Sequence, residues 1–132
     1  MGFELRGRGI VEGKCVAEAL VSSMPISFLG DVDQKTGLVI AKTHDLYGKL
    51  LKGKVLCFPH GHGSTVGSYV LYSLAKSGLA PKAIVNERAD PVIVVGAVMA
   101  NIPMVDGVDI TRIRTGDIVE VDAYRGVVKV IR

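Results

Sequence analysis

The chain has 132 residues, 48% hydrophobic and 22% charged, with no tryptophan and a formal net charge of +3. That size suits one domain, 1–132, with an aliphatic core, and no run of about eighteen apolar residues offers a membrane span. The cations are scattered (Arg6, Arg8, Lys49, Arg114) with few aromatics between them, which argues against nucleic acid as a partner.

The first residues, MGFELR, lack the apolar core of a secretory signal, so a cytoplasmic protein is expected. Cys15 and Cys57 stand alone, without a C-x-x-C, and fit buried thiols in a reducing compartment. A metal or iron–sulfur site built wholly from this chain would need three or four clustered donors. The sequence supplies none.

In chain order, FELRGRGIV at 3–11 and CVAEALVS at 15–22 read as two short strands joined by a turn. SSMP at 22–25 breaks the second, and ISFL at 26–29 reads as another strand. Residues 30–37, GDVDQKTG, form a polar loop, and Leu38, Val39 and Ile40 return to β character. Residues 44–54 read as a loop with one helical turn. VLCF at 55–58 is an apolar strand ended by Pro59, and His60 to Gly63 give a tight turn. From Thr65 the spacing becomes helical, with Val66, Tyr69, Val70 and Leu74 on one face. Gly78 and Pro81 stop that helix. AIVN at 83–86 is a brief buried strand.

Asp90-Pro91 then predicts a helix over 91–100, Asp as cap and Pro in the first turn. Pro103 ends it, Met104 and Val105 are strand-like, and Asp106, Gly107 and Asp109 read as turn formers. IVEVDA and VVKVI, around Tyr124-Arg125-Gly126, predict a closing antiparallel hairpin. The whole is a mixed α/β pattern: a barrel-like sheet with two main helices packed on one face.

The corner at 58–76, FPHGHGSTVGSYVLYSLAK, gathers the chemistry. Ser64 and Thr65 stand where a strand–turn–helix unit presents its first backbone N–H groups, a place that favours an anion. The same residues also suit a plain helix cap. The corner is not a P-loop, since GHGSTVGS has no Lys at the Walker position, and Gly61, Gly63 and Gly67 are spaced one residue too widely for a dinucleotide fingerprint.

SFLGDVDQKTG at 27–37, the block at 58–109 and the closing GDIVEVDA together resemble the small subunit of the aconitase-X family, over nearly the whole chain. The most specific part is G-x-G-S-x-x-G-S-Y-V-L followed by A-P-x-A-I-V-N. The resemblance implies the swivelling β/β/α domain of aconitase, here a separate chain. It implies a large partner subunit carrying a [4Fe–4S] cluster, with a heterodimer as the active species. Within the family these residues look most like the archaeal branch, a hydro-lyase that removes water from (R)-5-phosphomevalonate on a route to isoprenoids. In aconitase-like enzymes a serine of the swivelling domain takes the proton next to a carboxylate while a cluster iron receives the departing hydroxyl. The matching serine is Ser64.

The resemblance further implies substrate contacts from Gly63, Thr65, Gly67 and Ser68. His62 stands where the family often has a basic residue, and would do an Arg's or Lys's work when protonated. Arg88 offers a cation to phosphate or carboxylate, with Asn86 beside it, unless that loop is simply solvated. Asp31 and Asp33 are either subunit- or substrate-facing residues or turn formers. His60 and His62 are too few donors for a metal by themselves. Three other readings stay open: the small subunit of a cis-3-hydroxy-L-proline dehydratase, a non-catalytic anion-binding module, and a purely structural barrel.

Overall fold

The computed structural model describes residues 2–132. Eight strands form one mixed sheet: β1 (Gly2–Arg6), β2 (Arg8–Val11), β3 (Lys14–Val21), β4 (Val55–Phe58), β5 (Ala83–Asn86), β6 (Met104–Asp106), β7 (Ile118–Asp122) and β8 (Val127–Ile131). Their order is β1-β8-β7-β3-β4-β5-β6-β2. The two outermost strands are consecutive in sequence, joined only through Gly7, so the chain from 2 to 11 draws both edges together and the sheet curls into a barrel. The expected β3 partner is therefore absent from this segment. β1 pairs with β8 and β2 with β6, both antiparallel, while β3 lies between β7 and β4.

β3, β4, β5 and β6 run parallel. Helix α2 (Gly67–Lys76) crosses from β4 to β5, and α3 (Pro91–Ala100) from β5 to β6. Crossovers of one hand place both helices on one face of the sheet, where they pack on each other. Strand residues alternate between two cores, as a period of two demands. Leu56, Phe58, Ile84 and Met104 point to the helices and meet Leu71 and Ile93. Val55, Cys57, Val85 and Val105 point into the barrel and meet Val121 and Val128. Burial, with a smaller push from the Asp117 charge, raises the Cys57 thiol far above its ordinary range. It is a core residue.

The 91–100 helix begins as its sequence demands: Asp90 accepts the Val92 N–H at 3.2 Å, with Pro91 in the first turn. Asn101, left-handed at φ 57°, ends it. The closing hairpin of β7 and β8 is in place.

Three expectations fail in the long β3–β4 connection. The strand expected at 26–29 is instead a one-turn helix, α1 (Phe28–Asp31). Ser27 Oγ accepts from Gly30 N at 3.4 Å, and Asp31 reaches back to accept the Ser27 N–H at 2.8 Å. This reciprocal capping offers the backbone a local alternative to a strand, and it wins. The strand expected at 38–40 is reduced to isolated bridges, Val32 to Val39 and Leu38 to Leu50. Val39 is apolar because it sits in the core beneath the helices. The loop expected at 44–54 contains turns and no helix.

Asp106 is the last residue of β6 rather than a turn former. Its carboxylate accepts Arg8 Nε at 3.0 Å and Arg8 Nη2 at 2.9 Å, and also the Ala89 N–H at 3.1 Å. Burial pushes this carboxyl up, but the Arg8 hydrogen bonds, the Ala89 N–H and the Arg8 charge outweigh it and hold it below the ordinary range. A carboxyl depressed on folding stabilises the fold above its unfolded value, about pH 4, and that stability fades as pH falls through the folded value. Asp106→Asn is therefore expected to flatten the acid side of the stability curve. Denaturant midpoints measured down through acid pH check this, and a variant with the wild-type slope counts against it.

Candidate functional site

The parallel strands β3 to β6 end at one edge of the sheet, and ligands of α/β sheets bind outside such carboxyl ends. Ser22, the turn after Phe58, and the loop after Asn86 all emerge there. At the end of β4, Pro59 stops the ladder and the chain turns through 60–63. Gly63, at φ +89°, adopts a left-handed conformation that other residues rarely reach. A Cβ at Gly63 would also press on Ser27.

The helical region starts slightly later than its spacing suggests. Residues 64–66 form a hydrogen-bonded turn, with Gly67 N to Ser64 O at 3.0 Å and Ser68 N to Thr65 O at 3.2 Å, before α2 begins at Gly67. Ser64 is exposed, and its Oγ accepts the Val66 N–H at 3.1 Å. The backbone N–H groups of Gly63, Ser64 and Thr65 have no acceptor among the described residues. Free amides at and just after a left-handed glycine, at the entrance of a helix, suit an anion. The Ser64 hydroxyl is carried on the same turn.

The remaining residues of the corner divide into two groups. Gly67 and Ser68 are buried toward α3: Ser68 Oγ donates to Val92 O at 2.6 Å, and a Cβ on Gly67 would come within 3.3 Å of Val92 Cγ1. They hold the helices together. His62 is exposed, with its N–H on Ile26 O at 3.1 Å, while His60 Nδ1 donates to Gly61 O at 2.8 Å. Both histidines border a cleft of about 540 Å³, together with Met24, Pro25, Asp31 and His44. Asp31 therefore faces this side of the molecule. Asp33 does not: Lys35 N and Thr36 Oγ1 bond it within its own turn, which lowers its carboxyl.

His44, which the sequence does not single out, is buried at this cleft. Its Nδ1 lies 3.1 Å from Leu46 N and 3.2 Å from Asp45 Oδ1, and its Nε2 lies 3.1 Å from Pro25 O. Asn86 is fully buried: Nδ2 donates to Phe58 O at 2.9 Å, and Oδ1 finds no partner among the described residues. Arg88 is exposed, and its N–H reaches Pro59 O at 3.1 Å, so it emerges beside the serine turn. Asp109 is a turn former as read, accepting the Thr111 N–H at 3.1 Å.

Among the described residues no group of three His, Cys, Asp or Glu side chains could hold a metal ion. Cys57 lies inside the barrel and Cys15 is half-buried on β3, so the two thiols do not fit an iron–sulfur cluster. No described helix is long and apolar enough to cross a membrane.

A family model for the aconitase X swivel domain matches residues 4–130. The phosphomevalonate dehydratase small subunit of Pyrococcus furiosus is 50% identical over 129 residues, covering 98% of this chain and 96% of that one. Its counterpart in Thermococcus sibiricus is 53% identical over 128 residues, covering 97% and 98%. The crystal structure of Thermococcus kodakaraensis aconitase X in its holo-form superposes with a TM-score of 0.97 at 48% identity, covering 98% of this chain and 99% of that one. The barrel with its two helices is thus the swivelling fold, and the chain belongs to the aconitase X swivel-domain family.

Proposed function

We propose that this chain is the small subunit of a phosphomevalonate dehydratase, and that Ser64 takes the proton next to the substrate carboxylate. Relatives of that name match it nearly end to end. The observation that carries the role of Ser64 is its exposed hydroxyl on a turn whose backbone amides are free. A hydroxyl is a weak base until it is activated. The Val66 N–H already donates to Ser64 Oγ at 3.1 Å, and such a bond strengthens when the oxygen becomes an alkoxide. The helix dipole acts in the same sense.

In this reading the amides of Gly63 and Thr65 hold the substrate carboxylate, Arg88 supplies a cation beside the turn, and the His62 side chain is exposed next to it. Gly67 and Ser68 support the site through the packing of α2 on α3. The Ser64 alkoxide takes the proton from the carbon beside the carboxylate and becomes the hydroxyl, the C–H electron pair forms the C=C bond, and the hydroxyl on the next carbon departs as hydroxide toward the partner subunit. The [4Fe–4S] cluster of the family reading finds no ligand set among the described residues of this chain, and the proposal places it in a large partner subunit. Two free thiols suit a reducing compartment, and the proposal places the complex in the cytoplasm.

The test is anaerobic reconstitution of this chain with its large subunit. Phosphomevalonate should be dehydrated by the pair and by neither chain alone. Turnover of cis-3-hydroxy-L-proline in its place would transfer the chain to the other branch of the family. An assembled complex inert to both would overturn the enzymatic reading.

A further inference from the structure

We propose that Asp90 is the positioning residue of the serine turn, holding the backbone that carries Ser64 with one carboxylate oxygen while the other caps α3. The inference rests on the assignment of proton transfer to Ser64. Asp90 Oδ1 accepts the Gly61 N–H at 3.0 Å, across a separation of 29 residues, and Oδ2 accepts the Val92 N–H at 3.2 Å. Among the described residues, the Gly61 bond is the hydrogen bond that ties the 60–65 turn to α3.

The chemistry of the side chain separates this role from simple capping. Ser, Thr or Asn would cap α3 about as well as Asp. A serine is too short to span to Gly61, and an asparagine amide has one acceptor oxygen where two N–H groups must be met. A carboxylate satisfies both at once.

The turn is also pressed onto this residue. A Cβ added at Gly61 would run into the Asp90 carboxylate and the Ile93 side chain. On the opposite wall, Ile26 N donates to His60 O at 3.3 Å and His62 N donates to Ile26 O at 3.1 Å. The segment leading to Ser64 is thus gripped from two sides, by Ile26 in the β3–β4 connection and by Asp90 at the start of α3. Releasing the Asp90 side leaves the serine in place but loosely aimed, and misplacement of about 1 Å can cost about a hundredfold in rate.

The experiment uses the reconstituted two-subunit enzyme carrying Asp90→Ser or Asp90→Asn, with Ser64→Ala measured in parallel. Asp90→Ser keeps the cap and loses the reach; Asp90→Asn keeps the shape and loses one acceptor. Both are expected to assemble normally and to melt within about 4 °C of wild type. Each should lower kcat per assembled complex about 10- to 100-fold and raise KM as well, because the loosened turn carries both Ser64 and the Gly63 and Thr65 amides. Should Asp90→Ser fail to assemble, Asp90→Asn carries the same test. Wild-type kcat per assembled complex in the Asp90 variants, alongside an inactive Ser64→Ala, would overturn the positioning role alone. An active Ser64→Ala would overturn the assignment of Ser64 and this inference with it.

Discussion

Ser64→Ala is expected to reduce kcat of the reconstituted enzyme by about a thousandfold or more, the scale of a lost acid–base group, with little change in stability. The side chain is exposed, and its one hydrogen bond in the structure is the Val66 N–H at 3.1 Å. Losing one exposed hydrogen bond within a turn costs about 1 kcal/mol, too little to unfold a domain of ordinary stability. The free amides of Gly63 and Thr65 belong to the backbone and survive the substitution, so substrate should still bind and KM should stay within a few-fold. Anaerobic steady-state kinetics and thermal melting of the same preparations check both halves. A variant that keeps most of its kcat would reduce Ser64 to a turn residue. One that melts much earlier would show that the hydroxyl supports the fold.

Phe58→Ala should have the largest effect on stability, about 3–5 kcal/mol, the usual cost of removing a buried ring. Phe58 is fully buried at the end of β4 and meets Phe28 edge to face, with centroids 6.5 Å apart at 65°. It also immediately precedes the turn that carries Ser64, through Pro59 and His60. Asn86 Nδ2 bonds its carbonyl at 2.9 Å. The cavity therefore opens where the end of β4 meets α1. Measured by denaturant unfolding, the loss would be a large part of a typical total of about 5–15 kcal/mol. A cost below about 1 kcal/mol would mean that Phe28 and its neighbours collapse into the space, against the packing described above.

The features legible in the sequence are those written in a few adjacent residues. Asp90-Pro91 announces a cap and a first turn, and the helix over 91–100 overrides the β preference of its valines because those start signals act locally. Pro59 and the glycines mark the strand–turn–helix corner and alternation marks the final hairpin, while of the four residues read on the helix face Val70 and Leu74 are buried and Val66 and Tyr69 are exposed. From these, and from the likeness of its G-x-G-S block, the chain determined a barrel-like sheet with two helices and placed Ser64 at a helix entrance.

What only the tertiary structure decided joins residues far apart, for which no local pattern exists. The pairing of Arg8 with Asp106 spans 98 positions and gives a fixed carboxylate where a turn was read. Closure of the sheet by β1 and β2 depends on their partners, β8 and β6. ISFL carries the apolar character of a strand, and it became α1 because Ser27 and Asp31 cap each other there while Phe28 drops into a core assembled from both helices. Ser64 and Ser68 lie four residues apart with the same hydroxyl, yet one faces solvent and the other donates to Val92 O at 2.6 Å. Composition and spacing set which groups are present at the corner. Packing of α2 against α3 set which of them remain free to react.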